Sequence, residues 1–95
     1  MVSIGANPWD YFCLARKHLI MEEPYKAVKY FMMAGRIMAK KGYRSLSIEA
    51  FTEAKKIYQE LQINNPSILR SVDYWNLGTI DYALDPFPKD ALYIY

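Results

Sequence analysis

Residues 24–42 read PYKAVKYFMMAGRIMAKKG, and the way their apolar positions recur decides the fold class. At about 100° per residue, Ala27, Phe31, Ala34 and Met38 share one helical face, with Val28, Met32, Gly35 and Ala39 beside them. The two rows together cover about half the circumference, wider than the ~100° stripe of an ordinary surface helix. Neighbours are therefore expected on more than one side. The small residues Ala27, Ala34, Gly35 and Ala39 allow a neighbouring backbone to come close. The remaining arc carries Lys26, Lys29, Met33, Arg36 and Lys40. The spacing predicts a helix over 24–41, closed by Gly42. Cations in the last turn and a glycine in the left-handed slot beyond it are the expected stop.

Working outward, Asn7-Pro8 is a helix start, with Asn7 as cap and Pro8 at the first position, where no donor is needed. Asp10 adds negative charge to that first turn. A first helix is expected to about Met21, with an inward face of Tyr11, Leu14, Ala15 and His18 flanked by Phe12 and Leu19. Glu22-Glu23-Pro24 breaks it. After Gly42 a third helix is expected over 44–63, burying Ala50, Phe51, Ala54, Ile57, Tyr58 and Leu61. Glu49, Glu53, Lys56 and Glu60 mark its outer face. Asn64-Asn65-Pro66 repeats the opening device, with Asn65 as cap of a fourth helix over 66–84 carrying Leu69, Val72, Tyr74, Trp75, Leu77, Ile80 and Tyr82. Asp85-Pro86-Phe87-Pro88 is a turn, and Pro88 can open a short fifth helix over 89–95. No stretch alternates with period two. The reading is a single all-α domain, 1–95, of antiparallel hairpins joined by short loops.

The 95 residues are 53% apolar and 16% aromatic, which argues against disorder and for one modest core. Twelve basic and ten acidic residues leave a net charge of +2, too balanced to indicate nucleic acid by itself. The single cysteine, Cys13, cannot close an intrachain disulfide and is expected as a buried helix residue in a reducing compartment. No targeting segment, lipidation signal or apolar run of membrane-spanning length is read, so a soluble, cytoplasmic protein is expected.

No catalytic set emerges. His18 is the only histidine. Cys13 lies five residues from it and on another side of the helix, so the pair does not make an i, i+4 metal site. One histidine supplies no nucleophile–base pair here. The glycines are scattered, and no Glu-x-x-His set offers a di-metal site. Helical nucleases with an arginine followed by a histidine are not matched, since no histidine follows His18. Neither catalysis nor a cofactor or metal is expected.

Two helix cores are alike: Phe31-x2-Ala34-Gly35-x2-Met38 and Tyr74-x2-Leu77-Gly78-x2-Asp81. After the first comes Ser47-x3-Phe51-x2-Ala54, and after the second Ala91-x3-Tyr95, one position late. This pattern resembles the tetratricopeptide repeat, aromatic-x2-Leu-Gly-x2-Tyr followed by Ala-x3-Phe. The long helices and wide period are most similar to the attachment-protein (SNAP) type of that array. The sequence departs from the pattern at Ser47, Met38 and Asp81. The hairpin register stays open, as helices one–two and three–four or two–three and four–five, and a plain four-helix bundle remains the alternative architecture. The resemblance implies a scaffold that binds a protein or peptide partner, and it transfers no binding residue.

The basic stripe is the one focused charge feature. Lys26, Lys29, Met33, Arg36, Lys40 and Arg44 are the candidate partner-binding residues. An acidic peptide is the first ligand class, with nucleic acid or another polyanion the alternative. Neither end of the chain looks like a polar cap. Trp9 and Phe12 at one end, and Leu92, Tyr93 and Tyr95 at the other, are the candidate oligomer contacts, with a homodimer expected.

Overall fold

The computed structural model describes residues 7–84. Four helices occupy them in chain order: α1 (Pro8–Ile20), α2 (Pro24–Lys40), α3 (Arg44–Asn64) and α4 (Ser71–Leu84), with a 3-10 turn over Pro66–Ile68 before α4. No strand occurs among the described residues. The all-α hairpin architecture read from the sequence is thus the one observed. The short fifth helix expected over 89–95 lies outside the described residues.

Three of the starts and stops follow the sequence. Asn7 Oδ1 accepts the Trp9 N–H at 3.0 Å, and Pro8 opens α1. At the end of α2, the Gly42 N–H donates to Ala39 O at 3.1 Å and the Tyr43 N–H to Met38 O at 2.8 Å. Gly42 stands at φ +87°, the left-handed residue that this paired closure requires. The end of α1 is closed by the same device: Glu22 N–H to Leu19 O at 3.0 Å and Glu23 N–H to His18 O at 2.7 Å. There the left-handed residue is Glu22, at φ 60°, a place where a Cβ costs roughly 1–2 kcal/mol. Both connections are therefore one motif followed at once by the next helix, which turns the chain back on itself twice.

The first connection is reinforced by side chains. His18 Nδ1 donates to Glu23 Oε1 at 2.7 Å, and that bond holds the Glu23 carboxyl below its ordinary range. The His18 ring lies parallel to Tyr30, 5.4 Å between centroids, and Tyr30 stacks in turn on Tyr11 at 6.1 Å. His18 is a structural side chain that fixes α1 to α2.

The core lies along α2 and α3. Ala27, Val28, Phe31, Met32, Ala34, Gly35 and Met38 are buried on α2, and Ser47, Ala50, Phe51, Ala54, Ile57, Tyr58 and Leu61 on α3. The α3 face is the one the sequence predicts. On α2 the wide apolar arc is covered by α1 on one side and α3 on the other. Ala39, expected with that arc, is exposed.

On α1 the buried stripe is Pro8, Phe12 and Ala15, with Tyr11, Leu14, His18 and Leu19 partly covered. The expected face is thus covered in full or in part, with Phe12, expected as a flank, among its most deeply buried residues. Cys13, expected buried, is exposed: it follows Phe12 by about 100° of turn, and Phe12 points at α2.

The largest correction concerns the fourth helix. Pro66 opens only a 3-10 turn, Leu69 is extended at φ −83° and ψ 140°, and α4 begins at Ser71. Asn65 makes no side-chain cap bond. The restart is made by Asp73, whose Oδ2 reaches back to accept the Arg70 N–H at 2.9 Å, the reverse half of a capping box. Of the apolar residues expected to pack from this helix only Ile80 is fully buried. Val72, Tyr74, Trp75 and Tyr82 are exposed.

Packing joins α1 to α2, α2 to α3 and, more lightly, α3 to α4, and α1 has no packed interface with α4. Each of these packed pairs joins chain neighbours.

Candidate partner-binding groove between α2 and α4

Because α2 and α4 both run antiparallel to α3, they lie along its two flanks and point the same way. Side chains tie them together. Asp73, 1% exposed, accepts the Tyr25 hydroxyl of α2 at 2.8 Å and the Tyr58 hydroxyl of α3 at 3.0 Å. Asn76 Nδ2 donates to Tyr58 at 3.0 Å, and the Asn76 carbonyl accepts from Arg36 Nη2 at 3.3 Å. A continuous strut thus runs Tyr25–Asp73–Tyr58–Asn76–Arg36 across three helices. Lys55 and Asp81, 2.9 Å apart, add an ion pair between α3 and α4.

A carboxylate in such a place needs donors, since an unpaired buried charge costs several kcal/mol. Asp73 has three: two phenols and the Arg70 N–H. Burial pushes the Tyr58 hydroxyl up to about 12, with the neighbouring carboxylate acting in the same direction and the Asn76 donor against it. The Asp73 hydrogen bond likewise raises Tyr25. Both phenols are held in their donating form.

Past Arg36, α2 ends at Lys40. A cleft of about 590 Å³ opens there, lined by Ala39 and Gly42 at the end of α2, Arg44, Ser47, Ile48 and Phe51 on the first turns of α3, and Tyr82 and Ala83 on α4. Its floor is apolar and fixed: Phe51 is buried, and Ser47 Oγ donates to Gly35 O at 3.0 Å. Its one charged lining residue is Arg44.

The predicted stripe runs along this side of α2 and is not uniform. Lys26 sits 3.9 Å from Glu23 Oε2. The Lys29 ammonium lies 4.8 Å over the Tyr25 ring. Arg36 is engaged by Asn76. Met33 and Lys40 are exposed, and Arg44 reaches the cleft. Half of the stripe is thus tied to partners within the chain; Arg44 lines the cleft, and Lys40 and Lys41 are exposed in the chain between its lining residues Ala39 and Gly42.

Of the expected oligomer contacts, Phe12 is turned into the core, edge-on to Phe31 at 5.9 Å, and Trp9 stacks on it with half its surface exposed. Leu92, Tyr93 and Tyr95 lie outside the described residues. Among the described residues no cluster of three or more His, Cys, Asp or Glu side chains could hold a metal ion, and no helix is long and apolar enough to cross a membrane.

The residues that sequence reasoning missed are Asp73, Tyr58, Tyr25 and Asn76 as a polar set. The available signal was Asp73 itself, the third residue of the restarted helix. Comparison with known proteins finds no family model, no curated protein and no solved structure that matches this chain.

Proposed function

We propose that the chain is a protein-interaction scaffold of tetratricopeptide-like type, acting without catalysis, and that the cleft between the C-terminal ends of α2 and α4 takes an acidic segment of a partner protein. The observation that carries this reading is the pairing of an apolar floor, Ile48, Phe51 and Ala83, with the Arg44 cation, while the exposed Lys40 and Lys41 fall between the lining residues Ala39 and Gly42 in the chain. A cleft of about 590 Å³ falls within the ~300–1,000 Å³ range typical of ligand sites. The serial helix packing supports the array over the bundle. The exposed Cys13 suits a cytoplasmic setting, where a lone thiol stays reduced.

The alternative, nucleic acid along Lys26, Lys29, Arg36 and Lys40, is weakened by the intrachain partners of the first three. The test is titration of the purified chain with a glutamate-rich peptide carrying one aromatic anchor, and separately with single-stranded RNA, at several salt concentrations. Saturable peptide binding with a shallow salt dependence is expected. RNA binding whose logarithmic salt slope approaches about −0.7 per phosphate engaged, with no peptide binding, would replace this reading by the second.

A further inference from the structure

Both α1 and α3 run antiparallel to α2, so they run parallel to one another, and a groove of about 260 Å³ lies between them. Trp9, Phe12, Cys13 and Arg16 line it from one face of α1, at the i, i+3, i+4, i+7 spacing, and Leu46 and Glu49 line it from α3. Phe12 is the floor, held edge-on to Phe31 of α2. Trp9 is stacked on Phe12 and keeps 52% of its surface exposed, so a fixed aromatic stands at the rim. The lining is mostly apolar, with one cation on the α1 wall and one anion on the α3 wall. Arg16 and Glu49 are both exposed, and among the described residues neither makes an ion pair. Tryptophan and arginine are the side chains most enriched at the centres of protein interfaces.

We propose that this groove is one half of a two-fold interface and takes a second copy of the chain. Charge selects that occupant. A partner segment of one sign meets its own sign on one of the two walls, whereas a surface carrying both members of an ion pair is complementary to itself, as a two-fold contact requires. Charge also fixes the axis. A two-fold running along the groove lays α1 of each copy over α3 of the other, and Arg16 of each copy then meets Glu49 of the other. A two-fold running across the groove lays α1 on α1, setting Arg16 against Arg16 and Glu49 against Glu49, which repel. The first axis also carries each Trp9 ring onto the α3 wall of the other copy, where Leu46 offers apolar surface. The groove shares no lining residue with the cleft between α2 and α4, so the proposal is independent of what that cleft binds.

The test is sedimentation equilibrium on the full-length chain over a dilution series in the micromolar range. A reversible monomer–dimer equilibrium is expected. Arg16→Glu and Glu49→Lys should each weaken it about tenfold at low salt, since each sets like charges face to face twice per dimer. An equimolar mixture of the two variants should dimerise as the wild type does, because the mixed dimer regains both opposite-charge pairs. The chain carrying both changes should do the same. Circular dichroism should be unchanged in all of them, since both side chains are exposed. Alkylation of the exposed Cys13 thiol by a soluble maleimide should slow as the wild-type chain is concentrated. A monomer throughout the series would overturn the proposal. So would a dimer that both single variants leave intact, by placing the contact on another face. A chain that dimerises only once residues 1–6 are removed would overturn it too, by giving the groove to the chain's own start.

Discussion

Tyr58 donates its hydroxyl hydrogen to Asp73 Oδ1 at 3.0 Å, and neither side chain reaches solvent. The pair joins α3 to α4 where apolar packing between them is light, and Tyr25 brings α2 to the same carboxylate. Truncating Asp73 to alanine leaves two phenols and the Arg70 N–H without their acceptor. Unmade buried hydrogen bonds cost about 1–3 kcal/mol each when no water replaces them, and part of this set can be rehydrated. Asp73→Ala is therefore expected to lower unfolding free energy by about 2–4 kcal/mol in urea titration. Asp73→Asn, which keeps one acceptor, should lose less. A loss under ~0.5 kcal/mol for alanine would show that the strut holds nothing.

Alkali should loosen the same joint. The Tyr58 hydroxyl is raised from 10.0 to about 12, so between those values the folded chain holds a proton that the unfolded chain has released. Stability is fully present below the unfolded value and is lost as pH rises toward the folded one. Two pH units correspond to roughly 2.7 kcal/mol, an upper value for this one group by pH 12. Tyr25 is raised as well and acts in the same direction. Helicity followed by circular dichroism should fall over this window in the wild type, and tyrosinate absorbance at Tyr58 should appear only with that fall. Early tyrosinate absorbance without loss of helicity at this residue would contradict the buried, donating role.

The two inter-helix turns give opposite results at equivalent positions. Gly42, at φ +87°, has open space around an added Cβ, so Gly42→Ala costs only the backbone term, about 1 kcal/mol. Glu22 already pays that term at φ 60°. Glu22→Gly is expected to stabilise the chain by about 0.5–1 kcal/mol despite glycine's greater freedom when unfolded. Thermal melts of the two variants should move in opposite directions. If both fall, the left-handed strain at Glu22 is compensated by something its side chain does.

Gly35→Ala pits helix propensity against contact. Alanine gains about 1 kcal/mol in a helix interior. The new methyl, however, meets the ring of buried Phe51 at 2.8–2.9 Å, and that ring is also the floor of the cleft. Overpacking of this kind costs roughly 1–3 kcal/mol, so the net change is expected to be destabilising. Phe51→Leu in the same chain should recover part of the loss, a non-additivity that a double-mutant cycle would detect.

How far the sequence could be read follows from which forces were local. The stop at Gly42, the start at Asn7-Pro8 and the α3 face from Ala50 to Leu61 depend on residues within a turn of one another, and they stand as expected. The break before α4 depends on Asp73 finding Arg70 and two phenols that lie 15 and 48 residues away. Nothing in the spacing of Asn65-Pro66 announces that the proline opens only a 3-10 turn. Apolar residues on every side of 71–84 also hid which face meets α3, and the answer, a buried acid beside Ile80, contradicts the rule that charge points outward. The basic stripe was legible as a face, while the division of its cations between intrachain partners and the cleft needed Glu23, Tyr25 and Asn76 in place.

That division separates the two ends of α2 by experiment. Lys40 and Arg44 stand at the cleft end, and Lys26 and Lys29 at the other, occupied by Glu23 and the Tyr25 ring. Reversing both charges of the first pair, Lys40→Glu with Arg44→Glu, is expected to weaken binding of an acidic peptide about tenfold, mainly through association rate and more strongly at low salt. Stability should change by less than ~0.5 kcal/mol, since both side chains are exposed. Reversing Lys26 and Lys29 should change peptide affinity little, because neither faces the cleft, while removing a contact at Glu23 and one at Tyr25. Isothermal titration of the two double variants against the same peptide decides the matter. Equal losses at both ends would mean that the whole stripe attracts an anion by charge alone, the behaviour of a polyanion surface and not of a cleft with an apolar floor.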